Sequence, residues 1–260
     1  MNNICFIIFA HCSGQSVDDI NDMIDNIKHF SPNSEIIINH PTINHPNIIS
    51  KHDVGPVNNS SFIFGAFDEV LKNISEEFIN KFDHFCLFSA NQYVINSFNY
   101  QKNVNYVQFY NTSNWNKTYK GKDSDCTYHS GALRQGYGLW DDKDMYKVFG
   151  IEKAMASNWE NATLTKEAMI SCKQNIEKAK EIYPNCDLIS LFPGYMALMT
   201  KQEYRFAPFF GCFDPSSENK DHLLSINQIN QKKQQGYFSI KRVNYSKDCN
   251  LKEYIRYNLY

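Results

Sequence analysis

The amino-acid sequence predicts an α/β fold in which a mainly parallel central sheet is flanked by helices. Three short apolar runs carry that reading: Ile4–His11 (ICFIIFAH), Ser34–Asn39 (SEIIIN) and His84–Ser89 (HFCLFS). They alternate with two segments of helical spacing, Asp18–Phe30 and Phe67–Phe82. Near-continuous apolar strands separated by helices form parallel sheets covered on both faces. Such sheets bind ligands beyond the carboxyl ends of their strands. Here those ends carry Ala10-His11, Asn39-His40 and Ser89-Ala90-Asn91-Gln92-Tyr93, polar groups suited to reading a nucleotide-type ligand.

Each element has its own signal. Ile4–His11 ends its apolar run in a polar group, and Asp18–Phe30 repeats apolar residues at helical spacing. His40–Asn59 holds Pro41, Pro46, Gly55 and Pro56, too much punctuation for regular structure. Val104–Tyr110 (VNYVQFY) reads as a strand, Trp115–Asp125 as a hydrophilic connection, and Gly131–Gly138 places three glycines around Arg134. Leu164–Tyr183 is the clearest late helix: Thr163 or Thr165 caps it, Met169, Cys172, Ile176 and Ala179 share a face, and Pro184 stops it. Asp187–Met199 and Gly236–Val243 read as strands or buried turns, and Lys252–Tyr257 as a short terminal helix. With no repeat and no low-complexity linker, residues 1–260 read as one domain.

Composition narrows the function classes. The 42% hydrophobic and 15% aromatic content supports a sizeable core. A net charge of −2 gives no general attraction to nucleic acid or anionic membranes, so neither is expected as a partner. The eight cysteines (Cys5, Cys12, Cys86, Cys126, Cys172, Cys186, Cys212 and Cys249) are scattered without a CxxC pair, which favours reduced, mostly buried thiols over a disulfide framework or structural zinc. The N-terminal apolar run is short, lacks a basic leader and stops at His11 without a small-residue cleavage site, so it reads as a strand and not a signal peptide. No window approaches the roughly 20 apolar residues of a membrane span. The expected location is the cytoplasm.

The motifs point to a nucleotide site without a phosphate loop. Ala10-His11-Cys12-Ser13-Gly14-Gln15 fits neither GxGxxG nor a P-loop, which argues against dinucleotide binding. A sugar-nucleotide site needs less: apolar and backbone contacts for the base, a polar group for the ribose and cations for the diphosphate. His11 and Asn39 are candidates for the polar contacts, or simply end their strands. Lys241-Arg242 closes the apolar run Tyr237–Ile240, where adjacent cations can neutralise a leaving diphosphate, Arg through its bidentate fork. A surface charge pair on an edge strand is the plainer reading. Two carboxylates suit acid/base work: Glu160, beside Trp159 in Ser157–Glu160, and Asp187, after Pro184. Taken singly, each acid is more often a helix cap or a solvated group. Asp123-Ser124-Asp125 has the D-x-D spacing that can hold a divalent ion on phosphates, but it does not follow a buried strand.

The order of these segments resembles the core-2/I-branching β-1,6-N-acetylglucosaminyltransferase family, which includes related xylosyltransferases. The resemblance begins with Ile7–His11, continues through the Gln15–Phe30 helix into Ser31–His40, and takes in Phe64-Gly65-Ala66-Phe67, similar to the family's W-G-x-x segment. Asp83–Ile95 resembles its strand and S-G-x-D-Y-P-I loop, with Gln92 in place of the acid and Val94 in place of the proline. Ser157–Glu160 resembles a segment that contacts acceptor, Tyr183–Asp187 the P-x-x-E stretch with the catalytic base, and Ser239–Asn244 a basic K-R segment that binds phosphate. Pro41 stands where members often have an aspartate that contacts the nucleoside.

That resemblance implies a GT-A-like, Rossmann-like fold and an inverting hexosyl- or pentosyltransferase that moves a sugar from a nucleotide sugar, UDP-linked in the first instance, to a glycan hydroxyl. It implies no cofactor and no metal. Ala10, His11, Asn39, Phe64, Gly65, Ser89, Asn91, Gln92, Lys241 and Arg242 would bind the donor. Asp187, or failing it Glu160, would be the base, and Arg134, Trp159 and Tyr195 would shape the acceptor site. Residues 1–100 would hold the donor and 101–260 the acceptor and the chemistry. Two alternatives remain: a Mn²⁺- or Mg²⁺-dependent enzyme of the same fold using Asp123 and Asp125, or a non-catalytic nucleotide- or carbohydrate-binding protein.

Overall fold

The first strand, β1 (Ile4–Phe9), is buried along its whole length because both of its faces are covered. Cys5, Ile7 and Phe9 face one apolar cluster; Ile4, Phe6 and Ile8 face another on the opposite side of the sheet. In the computed structural model, which describes residues 3–10, 16–53, 63–90, 92–111, 147–152, 155–182, 188–206, 208–210, 225–241 and 254, β1 lies third in a seven-stranded sheet. Its neighbours are β2 (Glu35–Asn39) and β4 (His84–Ser89), both parallel to it. Beyond β2 lies β3 (Ile48–Ser50), also parallel. Beyond β4 come β7 (Met155–Thr165), β6 (Val104–Asn111) and β8 (Glu203–Arg205), so the order is β3-β2-β1-β4-β7-β6-β8. β7 is antiparallel to both of its neighbours, and β8 is parallel to β6. A smaller sheet, β5-β10-β9, joins β5 (Gln92–Val94), β10 (Ser239–Lys241) and β9 (Phe209–Phe210).

Helices cover both faces. α1 (Val17–Phe30) starts at a reciprocal cap, in which Ser16 Oγ accepts from the Asp19 N–H (3.2 Å) and Asp19 Oδ2 accepts from the Ser16 N–H (2.9 Å). Its stripe Ile20, Met23 and Ile27 packs with Phe6 and Ile8. On the other face lie α2 (Ile63–Asn73), the short α3 (Glu76–Ile79) and α4 (Lys166–Ile182). A 3₁₀ turn (Leu188–Ser190), α5 (Phe192–Met199) and α6 (Ile226–Gln234) complete the described helices. Asp68 on α2 accepts from Lys72 (2.9 Å) and from Lys180 of α4 (2.7 Å), and Lys173 donates to the free carbonyls of Leu71 and Ile74 at the end of α2. The small sheet is held to the main one by rings: Phe238 lies 6.3 Å from Phe6 and 5.9 Å from Tyr100.

Four expectations change. The periodicity of 67–82 continues through Phe78 and Phe82, yet the helix breaks because Ser75 turns its hydroxyl onto the Phe78 N–H (3.0 Å) and starts α3 anew. The punctuated stretch 40–59 still contributes β3, three residues that pair with the end of β2. The late helix begins at Lys166, after its cap Thr165, since Leu164 belongs to β7. Residues 187–199, expected as strands or turns, form the 3₁₀ turn and α5 over their described part, with Pro193 in the helix's first turn, where its missing N–H costs nothing. β7 itself had no strand signal. Cys5, Cys86 and Cys172 are free and buried, and burial pushes the Cys86 thiol up to about 12. No described helix is long and apolar enough to cross a membrane. Trp115–Asp125 and Gly131–Gly138 lie outside the described residues, as does all of Lys252–Tyr257 except the helical Tyr254.

Two predictions follow from this packing. α5 approaches the sheet at Gly194, where an added Cβ would lie 2.7 Å from Ser157 Oγ and 2.9 Å from Phe109 Cε1. Gly194→Ala should therefore destabilise by about 1–3 kcal/mol in urea titration, and an unchanged midpoint would contradict the close approach. His84, buried between β4 and the rings of Tyr100 and Tyr106, has its pKa lowered by desolvation, partly offset by its 3.1 Å hydrogen bond to the Val104 carbonyl. A lowered folded pKa means that the unfolded chain takes the proton first, so stability is lost as pH falls below the unfolded value of about 6.5. The urea midpoint should be lower at pH 5.5 than at pH 7.5, with the His84 imidazole titrating late by NMR.

Candidate functional site

The carboxyl ends of β2, β1 and β4 lie side by side, because Phe9 is in register with both Asn39 and Ser89. Neighbouring strands stand about 4.8 Å apart, so this row spans roughly 10 Å. At its β2 end Asn39 is fully buried and engaged within the fold. Its Nδ2 donates to the His52 carbonyl (3.0 Å), and its Oδ1 accepts from the His52 N–H (2.9 Å) and Ser50 Oγ (2.6 Å). Asn39 thus pins the exit of β3 and does not present its amide to a ligand. The next residue, His40, is the group left over. Its Nδ1 accepts from the N–H groups of Thr42 and Ile43 (3.2 Å each), so the ring proton resides on Nε2, which is buried without a partner. Burial lowers the His40 pKa, keeping this neutral tautomer. His52 Nε2, likewise buried and unpartnered, sits against Gly65 in the first turn of α2. A Cβ at Gly65 would lie 2.5 Å from it, so glycine is there to admit the ring. Phe64 is buried and packs edge-on against Phe192 (5.5 Å).

At the β4 end a chain of hydrogen bonds has only one consistent direction. The Ser89 backbone N–H donates to Gln92 Oε1 (3.2 Å), which obliges Gln92 Nε2 to face the other way. Nε2 donates to Asn161 Oδ1 (3.2 Å) and to Ser239 Oγ (2.9 Å), and Ser239 Oγ donates in turn to Asn161 Oδ1 (2.9 Å). The Cys86 thiol points at the same oxygen (3.7 Å). The Asn161 amide is thereby oriented with its oxygen inward, and its Nδ2 is buried with no partner. All three side chains are fully buried. They join β4, β5, β7 and β10, and the same register sets Lys241 opposite Gln92.

Asn161 occupies a defect in β7. Tyr106 pairs with Thr163 but Gln108 pairs with Asn158, so the four residues Trp159–Ala162 lie opposite Val107 alone. Asn161 has φ 61°, a left-handed conformation that asparagine tolerates better than most residues. The bulge disturbs the alternation of side chains. Ser157 and Trp159 face α5 and Phe9, and so do Ala162 and Leu164 on the far side of the bulge. Asn161, by its bonds, lies on the opposite face with Cys86, Gln92 and Ser239, so the alternation breaks between Trp159 and Asn161. Glu160 is buried, at 3% exposure.

Of the residues singled out from the sequence, the structure brings together Ser89, Gln92 and the Lys241 backbone, with Glu160 next in the chain to Asn161 and Ala10 buried beside the end of β2. Phe64, Gly65 and Asn39 gather at the other end of the row. Trp159 and Tyr195 belong to the core: Trp159 is 2% exposed with its edge against Phe9 (5.6 Å), and it offers no open ring face for a sugar. His11, Asn91, Arg134, Asp187, Arg242, Asp123, Asp125 and the Lys241 side chain lie outside the described residues. Among the described residues no three His, Cys, Asp or Glu side chains gather as a metal site. His40, His52 and Asn161 were not singled out for these roles; an asparagine in a polar run gives no sign in sequence that it ends a bulge. Comparison with known proteins finds no family model that matches the chain and no significantly similar curated protein.

The relay makes Gln92 a joint between the two sheets. Gln92→Leu keeps the volume but removes the side-chain acceptor of the buried Ser89 N–H and the donor that Ser239 Oγ and Asn161 Oδ1 share, and it should cost about 1–3 kcal/mol. Equilibrium unfolding checks this, and a loss no larger than that of an exposed substitution would rule the relay out as a joint.

Proposed function

We propose that the protein is an inverting glycosyltransferase of GT-A-like fold that uses a nucleotide sugar, UDP-linked in the first instance, and a glycan hydroxyl. The observation that carries this reading is Glu160: a buried carboxylate in the bulge of β7, adjacent in the chain to Asn161 of the relay that reaches the strand of Lys241. In support of this reading, the central sheet is mixed but mostly parallel, which is compatible with a Rossmann-like fold. It departs from the 3-2-1-4-5-6 order of dinucleotide-binding domains by setting an antiparallel strand next to β4. The lack of a glycine-rich loop after β1 argues in the same direction.

In this reading the base removes the proton from an acceptor hydroxyl as its oxygen attacks the anomeric carbon. The new carbon–oxygen bond forms opposite the bond to the diphosphate, which breaks, so the configuration inverts. The leaving nucleoside diphosphate takes the electron pair, and Lys241 with Arg242 neutralises its charge without a metal ion. Glu160 is the base we favour, with Asp187 as the other candidate. We assign to His40 Nε2–H, buried without a partner beside Asn39, the polar contact to the nucleoside that the sequence offered to His11 and Asn39.

Two measurements test the proposal. UDP should raise the melting temperature without added Mn²⁺, and the double variant Lys241→Ala, Arg242→Ala should abolish the rise. A shift that needs Mn²⁺ would transfer the role to Asp123 and Asp125. Release of free sugar from UDP-sugars should fall by roughly 100-fold or more in Glu160→Gln, while Asp187→Asn retains it. The reverse pattern would make Asp187 the base, and UDP binding with no turnover by the wild type would mean a binding protein.

A further inference from the structure

We infer that the β8 edge of the main sheet pairs with the same edge of a second copy of this chain, antiparallel about a twofold axis through Tyr204. The inference is independent of the transferase reading. β8 ends the seven-stranded sheet: β6 holds one of its sides, and among the described residues no strand pairs with the other. Such an edge offers unpaired N–H and C=O groups to a further strand. Glu203, Tyr204 and Arg205 are all exposed. Tyr204 at 50% and Phe206 at 65% are the most exposed large apolar side chains among the described residues. The edge is also fixed in place. Lys201, left-handed at φ 54°, turns the chain out of α5, and Gln202 then anchors the entry to β8. Its Oε1 accepts from Thr165 Oγ1 (2.6 Å), and its N–H donates to Thr200 Oγ1 (3.4 Å). Tyr204 stands edge-on to Phe109 of β6 (5.0 Å).

The order of charges selects a second copy over any other strand. In an antiparallel pair centred on Tyr204, Glu203 of one chain lies opposite Arg205 of the other, and Arg205 lies opposite Glu203. The run Glu-Tyr-Arg is therefore complementary to itself. Side chains directly opposite have Cβ atoms about 4.5–5.5 Å apart, within reach of an ion pair. In the single chain Arg205 Nε donates to Glu203 Oε1 (2.7 Å), so the two charges share one face of the strand. That pair is exposed on both sides and contributes little, so exchanging it for two cross-strand pairs forfeits little. On the other face Tyr204 meets its own copy at the axis, and Phe206 lies diagonal to the copy's Tyr204. The exposed rings of the two chains thereby cover each other. An edge built to resist association carries like charges, lysine or proline, and residues 203–206 have none of these. A twofold contact uses each edge once, so the assembly closes at two chains.

Sedimentation equilibrium of the full chain tests this. The wild type should form a two-chain species, and nothing larger, as its concentration rises to about 100 µM, as suits a small interface. Arg205→Glu sets glutamate against glutamate at both cross-strand positions, and Glu203→Arg sets arginine against arginine. Each should weaken the dimer by about 10-fold or more, because like charges directly opposite repel. The double variant Glu203→Arg, Arg205→Glu restores the complementarity in reverse order and should dimerise within about threefold of the wild type. Mixing the two single variants places two arginines opposite two glutamates, so they should associate with each other while neither associates with itself. All these positions are exposed, and the melting temperatures should match the wild type; should one single variant not fold, the other and the double variant decide. A wild type that stays monomeric, a dimer that withstands both reversals, or single variants that do not associate on mixing would each overturn the inference.

Discussion

One backbone group organises the region around the candidate site: the buried N–H of Ser89. It belongs to the last residue of β4, and a buried donor left unpaired costs on the order of 1–3 kcal/mol. Gln92 Oε1 satisfies it, and that single choice orients every amide that follows. Gln92 must turn its nitrogen to Ser239 and Asn161, Asn161 must turn its oxygen inward, and the cross-strand pairing of β5 with β10 is locked as a result. The family pattern to which the loop bears a resemblance has an acid at position 92. A carboxylate there would have no N–H to give, so the relay as observed requires the amide.

The parts of the fold legible in sequence were those in which side-chain period and burial coincide. β1, β2 and β4 are apolar on both faces and could be placed almost to the residue. The stripe Met169, Cys172, Ile176 and Ala179 likewise marked the face of α4 that is buried. β7 was not legible, for a physical reason. Its polar residues Asn161, Thr163 and Thr165 are buried and hydrogen-bonded, so hydropathy shows no strand, and the bulge breaks whatever alternation remained. The same holds at the site. Asn39 could be recognised as a polar residue ending a buried strand, but only the positions of Ser50 and His52 show that its side chain is already used.

Trp159 illustrates how neighbours in sequence part company in space. Beside Glu160 it looked like a platform for a sugar ring, because aromatic and carboxylate side chains adjacent in a chain invite a shared role. In a strand, consecutive side chains point to opposite faces. Trp159 enters the core against Phe9, whereas Asn161, two residues on and past the break in alternation, meets Cys86 and Ser239. Any acceptor surface must then be built from other segments than Trp159 and Tyr195.

The division of labour between the two halves of the chain also needs restating in structural terms. Residues 1–100 and 101–260, expected from the sequence to serve donor and acceptor, are interleaved in the sheets. β7, from the second half, pairs directly with β4 of the first, and β10, close to the C-terminal end, pairs with β5, which directly follows β4. A nucleotide lying across the ends of β2, β1 and β4 would thus meet His40 from the first half at one end of the row. At the other end it would meet Glu160 and the strand of Lys241 from the second. The chemistry expected of a transferase needs base, leaving-group cations and nucleoside contact in one place, and interleaved strands achieve this with no hinge between lobes. Asn161, next to Glu160, and Ser239, two residues before Lys241, are tied through one buried relay, so a change in that relay disturbs β7 and β10 at once.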